Sequence, residues 1–505
     1  MPDVNTLYQE LIAELKQVSL LGSCAGVLGW DEQTYLPPGG VEHRANQLSL
    51  LAGMVHERAT SPRIGELLSS LEQSGKVADD NDDLSANVRE ARRSYDRAVK
   101  LPRRLVEELS RVTSLGQQAW IEARKKSSFN DFLPWLEQIV TLKREQAIIL
   151  ATGDGPAYDA LLDEFETGAT TASVKAVFDP LRKELVELAA AIRESGRKPR
   201  TDVLKRSYPV DLQKKFAIEA AKKIGFSFHD GRLDVAAHPF CSGMGPGDCR
   251  LTTRYDEHDF PQAFFGVMHE VGHGIYEQGL DRSAYGTPLG ETVSLGIHES
   301  QSRMWENFVG RSLPFWEHFY APLQQTFPQA LGDVSLDEFY AAINTVGSSF
   351  IRVESDEVTY NLHIMLRFEM EQQLISGSLK CSDVPNAWNS QFEHDFGLKV
   401  PNDTLGCLQD IHWSGGLIGY FPTYALGNMY AAQFFAHAQK ELGDLAAQFR
   451  QCEFGPLKNW LNEKIHKPGK RYTPQELLFH VTGERLSPTP LILHLTKKFS
   501  SLYGM

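Results

Sequence analysis

The segment 264–276 reads FFGVMHEVGHGIY and carries the motif HExxH at His269–His273. Its apolar residues recur with helical spacing, so we expect a buried α-helix. Positions i and i+4 of a helix lie on one face, so His269 and His273 can reach a single metal ion. Glu270 projects beside them and can accept a proton from metal-activated water. The segment therefore predicts a metal-dependent hydrolase centre; the alternative is a helix that carries two unrelated histidines.

A third metal ligand is needed, because catalytic zinc usually takes three protein ligands and leaves a fourth position for water. Glu299 lies near the middle of the next apolar segment, 293–308, and follows Leu295 by four residues, so it can share the buried face. We predict Glu299 as the third ligand, and the alternative is a surface carboxylate. Other downstream carboxylates fit less well: Glu277, Asp281, Glu291 and Glu306.

Helical periodicity dominates the rest of the chain. Leu181, Leu185, Leu188 and Ile192 share one helical face, and we expect that helix to start at Pro180. Capping boxes, each with a hydroxyl residue and a Glu three positions later, predict helix starts at Thr473 and Ser335. Strand alternation is clearest in Cys249–Tyr255, which we expect at the edge of a small sheet, whereas Gly243–Gly247 is expected to be a loop. These patterns predict a mainly α protein that forms a single large helical domain over residues 1–505.

Composition excludes several classes of function. The chain has 505 residues and a net charge of −14, so it repels a phosphate backbone and is not expected to bind nucleic acid. Its six cysteines form no CxxC pair, which is typical of a reducing compartment. The N-terminus lacks the apolar run of a signal peptide, and no stretch comes near the roughly 18 apolar residues of a membrane span. We therefore expect a cytoplasmic protein without a membrane partner.

Motifs along the whole chain resemble those of the M32 metallocarboxypeptidases of the thermostable carboxypeptidase Taq type. Besides HExxH, the chain matches the family patterns HPF, DxRxT, HES/GQ, I/VRxxAD and GxxQDxHW in the right order. In the pattern I/VRxxAD, Ser355 stands where alanine is usual. The matching segments are His238–Phe240, Asp248–Thr252, His298–Gln301, Ile351–Asp356 and Gly406–Trp413, and Trp30–Thr34 is also similar.

The resemblance implies an enzyme that removes single residues from the C-termini of peptides, with broad specificity and poor action next to proline. It implies a gluzincin-like, almost all-helical subunit with a deep central groove and a small β-sheet near the zinc site. It also implies a homodimer, Glu299 as the third zinc ligand, and one Zn²⁺ per subunit that Co²⁺ can replace.

An exopeptidase must recognise a free carboxylate, and a planar guanidinium binds a carboxylate through two hydrogen bonds. Arg352 lies in a segment that can be buried, and we predict that it binds the substrate carboxylate. The alternative is a structural ion pair with Asp356 at i+4. Arg250 is a second candidate in the predicted strand, although Asp248 two residues away offers it a structural partner.

Two histidines and two tyrosines complete the predicted substrate site. His238 and His412 are candidates for substrate binding, and the alternative for each is a core histidine with satisfied hydrogen bonds. Tyr420 is our candidate donor to the oxyanion of the tetrahedral intermediate, and Tyr424 follows it closely and is a further substrate-binding candidate. Packing is the alternative role for Tyr420.

Two other functions are compatible with the metal motif. A zinc oligo-endopeptidase or dipeptidase of related helical fold would share HExxH and the distant Glu but would not need Arg352. A non-catalytic peptide-binding protein could keep a metal ion for stability, although such a site would have no use for Glu270 as a base. Amidated peptides compared with free-acid peptides separate the first alternative from a carboxypeptidase.

Overall fold

A computed structural model describes residues 3–77, 82–236 and 239–505. Over these residues the protein is mainly α-helical with one small sheet, as the sequence predicts. The strands are β1 (Gly231–Val235), β2 (Cys241–Gly245) and β3 (Asp248–Thr253). The α-helices are α1 (Val4–Thr34), α2 (Val41–Ala59), α3 (Pro62–Gln73), α4 (Asp83–Lys100), α5 (Arg103–Lys126), α6 (Phe129–Leu150), α7 (Tyr158–Phe165), α8 (Thr171–Glu194), α9 (Val210–Ile224), α10 (Phe260–Gly279), α11 (Leu295–Arg303), α12 (Leu313–Thr326), α13 (Pro328–Leu331), α14 (Leu336–Ile343), α15 (Tyr360–Ser376), α16 (Val384–Phe396), α17 (Pro422–Leu442), α18 (Leu445–Arg450), α19 (Gly455–Leu461), α20 (Pro474–Thr482) and α21 (Thr489–Tyr503).

The helix α10 carries the HExxH motif and is buried along most of its length. Asp259 caps its N-terminus by accepting a hydrogen bond from the backbone N–H of Gln262, and proline follows within the first turn. Aromatic residues on its first turns pack into the main core: Phe260, Phe264 and Phe265. The predicted buried helix is confirmed, and its burial fixes the direction in which the histidines point.

Glycines allow α11 to pack tightly between α10 and α17. A Cβ atom at Gly272 in α10 would lie 2.6 Å from the backbone oxygen of Gln301 in α11. A Cβ atom at Gly427 in α17 would lie 2.7 Å from the Cβ of Glu299. Real Cβ atoms do not approach this closely, so only glycine permits these helix contacts, and the two contacts press Glu299 towards the HExxH helix.

The sheet has the strand order β1-β3-β2, so the expectation that the 249–255 segment forms an edge is wrong. β3 pairs in parallel with β1, where Leu233 lies opposite Leu251, and antiparallel with β2, where Ser242 lies opposite Arg250. The central position fits the burial of Leu251 and Cys249. The expected loop at Gly243–Gly247 is also partly wrong, because β2 continues to Gly245.

Glycine in β2 serves close packing. A Cβ atom at Gly243 would lie 2.3 Å from a carboxylate oxygen of Glu277 in α10. The strand therefore passes directly over the end of the HExxH helix. The sequence predicts a loop at these glycines. The structure shows instead that glycine at position 243 permits the close approach to Glu277.

Helix starts were predicted with mixed success. The capping boxes at Thr473 and Ser335 are confirmed. The predicted start at Pro180 is wrong, because α8 begins at Thr171 and Pro180 lies inside it. A third capping box, in which Thr170 and Ser173 exchange hydrogen bonds, starts the helix earlier. Proline in the interior costs a backbone hydrogen bond, which the packing of the flanking helical turns offsets here.

The N-terminal helices α1, α3 and α4 have a small core of their own that includes Leu11, Leu67 and Val88. The single-domain organisation over 1–505 stays a prediction. Among the described residues, α1 alone is long and apolar enough to cross a membrane by length and composition, with a mean hydropathy of 1.4 over 18 residues. The expectation that no segment comes near this limit is therefore too strict. Only 11% of this window is buried, and one helix that meets the criterion is weak evidence of a membrane span, so the absence of a membrane partner stays a prediction.

Candidate active site

The structure brings the three predicted metal ligands together. Glu299 Oε2 lies 3.5 Å from Nε2 of His269 and 3.4 Å from Nε2 of His273. The three ligand atoms lie within 4.8 Å of one another. Ligand atoms about 2.0–2.1 Å from a tetrahedral zinc ion are about 3.3–3.4 Å apart. The observed spacing and the donor set of two imidazoles and one carboxylate therefore fit a metal of this kind.

Each metal-ligand histidine uses its second ring nitrogen in a different contact. His269 Nδ1 lies 2.9 Å from Oε2 of Glu306. His273 Nδ1 lies 3.1 Å from the backbone oxygen of His298 and 2.6 Å from Nδ1 of the same residue, so its single N–H is shared. Glu277 in turn lies 2.8 Å from Nε2 of His298. A proton on Nδ1 leaves Nε2 of both histidines available to a metal.

Arg303 donates hydrogen bonds to two carboxylates at the candidate metal site. Its Nε donates to Glu299 Oε1 at 2.7 Å, and its Nη1 donates to Glu306 Oε2 at 3.2 Å. Burial would raise the pKa of Glu306, but Arg303 and His269 outweigh it and lower this pKa to about 2. Burial opposes ionisation of Glu299 in the same way, yet Arg303 and the two histidines hold its pKa well below the usual range. Both carboxylates are therefore ionised at neutral pH.

Without a metal ion, the pKa values of the two histidines are shifted in opposite directions. Burial, together with the neighbouring His298, lowers the pKa of His273 to about 3, so this imidazole is neutral at neutral pH. Burial also acts to lower the pKa of His269, but Glu299 and Glu306 outweigh it and raise the value. A metal ion would displace the proton of His269 on binding.

Glu270, the predicted general base, is 6% exposed and lies next to His269 on α10. Burial raises its pKa to about 7, whereas His269 acts to lower it. A carboxylate that titrates near neutral pH is suited to accept and return a proton in one reaction cycle. Its position and pKa therefore agree with the predicted role.

Arg352, the predicted carboxylate-binding residue, is buried and ion-paired. Its Nε and Nη2 lie 3.0 and 2.9 Å from Oδ1 of Asp410, and its Nη1 donates to the hydroxyl of Tyr360 at 2.9 Å. The alternative prediction, an ion pair between Arg352 and Asp356, is wrong. Arg352–Glu354 is a short 3₁₀ turn, so the i+4 geometry of an α-helix does not apply there. Asp356 instead accepts hydrogen bonds from Thr359 and nearby backbone N–H groups.

Asp410 holds a second guanidinium as well. Arg367 is fully buried, and its Nε and Nη2 lie 2.7 and 2.6 Å from Oδ2 of Asp410. Among the described residues, Asp410 is the one carboxylate within ion-pair distance of either arginine. This buried cluster of two arginines and one aspartate therefore carries an excess positive charge.

Tyr424 lies beside Arg352, and His412 and Tyr420 pack against Tyr424, while their role as one substrate site stays a prediction. His412 Nε2 lies 3.1 Å from the hydroxyl of Tyr424, and the Arg352 guanidinium carbon lies 4.8 Å from the centre of that tyrosine ring. The Tyr420 ring is 5.3 Å from the Tyr424 ring and 5.4 Å from the His412 ring. Burial lowers the pKa of His412 to about 3, and Arg352 adds to this effect, so His412 is neutral.

Arg250 does not join this group of residues. It forms two hydrogen bonds with Asp248, at 2.8 and 2.7 Å, and its guanidinium carbon lies 4.6 Å from the centre of the Trp30 ring in α1. This is the structural use that the sequence left open as the alternative. His238, the remaining substrate-binding candidate, lies outside the described residues.

Tyr360 connects the metal cluster with the arginine cluster. The guanidinium carbon of Arg303 lies 4.2 Å from the centre of the Tyr360 ring, and the hydroxyl of Tyr360 accepts from Arg352. Sequence reasoning assigned no role to Tyr360, Arg303, Arg367 or Asp410. Arg303 could have been found from its i+4 spacing to Glu299, but no local signal pairs Asp410 with an arginine 58 positions earlier.

A family model described as carboxypeptidase Taq (M32) metallopeptidase matches residues 10–499. This chain belongs to that family. Thermostable carboxypeptidase 1 of Thermus thermophilus is 46% identical over 98% of this chain and 99% of that protein. Carboxypeptidase 1 of Bacillus subtilis is 39% identical over 99% of each chain. Among solved structures, the M32 carboxypeptidase from Deinococcus radiodurans R1 has a TM-score of 0.94 and is 39% identical, covering 99% of this chain and 100% of that chain.

Membership in the M32 family makes this chain a metallocarboxypeptidase that acts on peptides and uses a metal ion. It confirms the resemblance inferred from the motifs and the mainly α fold. His269, His273 and Glu299 form the candidate metal site. The metal identity, the general base, the specificity and the assembly stay predictions.

Proposed function

We propose that this M32 protein is a zinc-dependent carboxypeptidase that removes single residues from the C-terminus of peptides. The observation that carries the proposal is the distance of 3.4–3.5 Å from Glu299 Oε2 to the Nε2 atoms of His269 and His273. Zn²⁺ would be held by these three residues, and Co²⁺, which accepts similar donors, could substitute. The bound metal would supply a Lewis acid that acidifies water and polarises the scissile carbonyl.

Glu270 is the proposed general base. It accepts a proton from the attacking water and later donates this proton to the leaving amine. Its burial supports the role, because a pKa of about 7 lets the carboxylate take up and release a proton near neutral pH. The metal would lower this value, so the carboxylate form prevails before the attack.

Arg352 is proposed to bind the C-terminal carboxylate of the peptide. Asp410 takes Nε and one N–H of Nη2, and Tyr360 takes one N–H of Nη1, which leaves one N–H on each Nη atom for a second carboxylate. The excess positive charge of the cluster formed by Arg352, Arg367 and Asp410 supports this assignment, because a buried charge without a partner is costly. An amidated or internal peptide segment would not neutralise it.

The aromatic residues beside Arg352 are proposed to act on the reacting group. The hydroxyl of Tyr420 donates a hydrogen bond to the oxyanion, and His412 and Tyr424 hold the substrate next to it. The ring contacts between Tyr420, Tyr424 and His412 support a common site. Broad specificity and poor cleavage next to proline are proposed from family membership alone.

The partners are proposed to be peptides with a free C-terminus, without nucleic acid or membrane, in the cytoplasm. The net charge of −14 supports the first exclusion. A homodimer is proposed from family membership. Light scattering of the purified protein should then give twice the chain mass of 56.6 kDa, and a value equal to one chain would overturn it.

The test of the function uses an N-blocked tripeptide with a free C-terminus and its amidated twin. Both are incubated with the protein, with and without chelator, and the products are read by mass spectrometry. Loss of one residue from the free acid alone, abolished by chelator and restored by zinc or cobalt, would support the proposal. Equal cleavage of both peptides would favour an endopeptidase. Cleavage of neither peptide by metal-loaded protein would favour a non-catalytic peptide-binding protein.

A further inference from the structure

Glu306 lies directly behind a metal ligand, although it does not belong to the ligand set. Its Oε2 is 2.9 Å from Nδ1 of His269, on the opposite side of the ring from the Nε2 atom that faces Glu299. His273 Nδ1 instead lies 3.1 Å from the backbone oxygen and 2.6 Å from Nδ1 of His298, a neutral acceptor in each case, and Glu277 contacts only the far side of the His298 ring. The two ligand histidines are therefore held by acceptors of different charge.

The carboxylate of Glu306 is fixed in place by the protein around it. Arg303 donates to its Oε2 at 3.2 Å, and Arg311 lies 3.6 Å from its Oε1. The side chain is 12% exposed, and the backbone around it, Met304–Gly310, is a π-helical continuation of α11. Short π-helical stretches frequently occur at functional sites. A carboxylate held by two guanidiniums keeps its orientation when the neighbouring histidine changes partner.

We propose that Glu306 is a positioning residue of the metal centre, which accepts the Nδ1–H of His269 and aims Nε2 of that ring at the metal. The inference rests on the proposed metal site formed by His269, His273 and Glu299. Acceptance of this hydrogen bond selects the tautomer with the proton on Nδ1 and makes Nε2 a stronger donor. At His273 the Nδ1 contacts are a backbone carbonyl and the imidazole of His298, so a carboxylate, that of Glu277, reaches this ring only through His298.

Arg303 contributes to the same arrangement, since it donates to both Glu299 and Glu306. One guanidinium thus sets the position of a metal ligand and of the carboxylate that orients another ligand. It also offsets part of the negative charge that these two carboxylates bring to one buried site. A change at Glu306 therefore acts on the metal through His269 directly and through Arg303 indirectly.

The surroundings of Glu306 favour a clean substitution. Glutamine has the same shape, and a polar cavity of about 20 Å³ lined by Arg303, Glu306, Arg311 and Glu357 adjoins the side chain. Glu357 provides a matched control. It is a buried carboxylate in the same cavity wall, but it pairs with Lys498 and lies 3.8 Å from His494, and neither of these is a metal ligand.

The experiment measures zinc affinity of the full chain by competition with a chromophoric chelator, and the visible spectrum of the Co²⁺ form. We expect Glu306→Gln to weaken zinc binding about 10–100-fold and to change the Co²⁺ spectrum, because the orienting acceptor loses its charge. Glu306→Asp keeps the charge at a shorter reach and should recover part of the affinity. Glu357→Gln should leave both readouts within about twofold of the wild type.

The outcomes separate this inference from the proposed function. A wild-type chain that binds neither zinc nor cobalt would overturn the metal site itself. Metal binding in the wild type with unchanged affinity and spectrum in Glu306→Gln would overturn the positioning role alone. An equal loss in Glu357→Gln would show that general damage to this buried region, rather than the contact with His269, weakens the metal. Should Glu306→Gln not fold, Glu306→Asp against Glu357→Gln decides the question by the same readouts.

Discussion

Two buried clusters of charged residues lie on either side of Tyr360. They differ in the charge that a ligand would supply, a cation in the first cluster and an anion in the second. Around His269 and His273, Glu299 and Glu306 pair with Arg303 and Arg311, and they also hold the pKa of His269 above its ordinary value, so part of the balancing charge is a proton on that imidazole. In the other cluster, two arginines share the single carboxylate of Asp410. A cation that displaces the proton on His269 takes over its charge, whereas the second cluster keeps an excess positive charge.

The difference shows what separates a site from a structural ion-pair network. A balanced buried network satisfies its own charges and needs no ligand, whereas an unbalanced one is stabilised when the missing charge binds. Under the proposed function, a metal ion replaces the proton in the first cluster and a peptide carboxylate supplies the anion of the second. Tyr360 contacts both Arg303 and Arg352, so the two clusters lie next to each other, and the proposed removal of a C-terminal residue requires this proximity.

The largest effect is expected when the proposed general base of the metal cluster, Glu270, is replaced. Glu270→Gln should lower kcat by about 10²–10⁴-fold, because the amide cannot accept the proton, while the three metal ligands stay in place. Steady-state kinetics on a free-acid peptide and zinc content by elemental analysis check this. Loss of zinc together with activity would mean that Glu270 supports the site rather than the chemistry.

In the arginine cluster, Asp410→Asn should lower the free energy of unfolding by about 3–5 kcal/mol, because two buried guanidiniums lose their partner. Burial acts to raise the pKa of Asp410, but Arg352 and Arg367 outweigh it and hold the pKa well below its ordinary 3.8. The stabilisation is therefore present above pH 3.8 and is lost only as the pH falls through the lower folded-state value.

Urea unfolding of wild type and Asp410→Asn at several pH values measures this difference. The partly exposed pair of Asp248 and Arg250 supplies the control, since Asp248→Asn should cost only about 1 kcal/mol. Equal costs in both variants would contradict the picture of a buried, unbalanced cluster.

Arg352→Gln tests the missing anion directly. We expect kcat/KM for a free-acid peptide to fall about 10–150-fold, which corresponds to the loss of about 1.5–3 kcal/mol of charged hydrogen bonding. Activity on the amidated twin should change little, because that peptide brings no carboxylate to the cluster. A parallel fall on both peptides would instead assign Arg352 to the fold.

The smallest effect is expected at Arg250. Its partners Asp248 and Trp30 already satisfy the guanidinium, so Arg250→Gln should change kcat/KM by less than about threefold. Peptides of increasing length, measured with wild type and variant, check this. A fall as large as that of Arg352→Gln would return Arg250 to the substrate site.

Local chemistry was readable from the sequence because it depends on short spacing. The i, i+4 spacing of His269 and His273 determines that both rings share a helix face, whatever surrounds the helix. The capping boxes at Thr473 and Ser335 also depend on neighbours three residues apart and are confirmed. The choice of Glu299 rested on helical periodicity and on the family resemblance, and the structure brings it to the histidines.

Contacts between distant segments were decided only by the tertiary structure. The partner of Arg352 is Asp410 rather than Asp356, since a 3₁₀ turn and the packing of a remote loop set the contact. The orienting role of Glu306, the central place of β3 and the close approach at Gly427 depend in the same way on how helices and strands pack. Periodicity and spacing specify which face of an element is buried, but the neighbour that covers this face is chosen by the fit of the whole core.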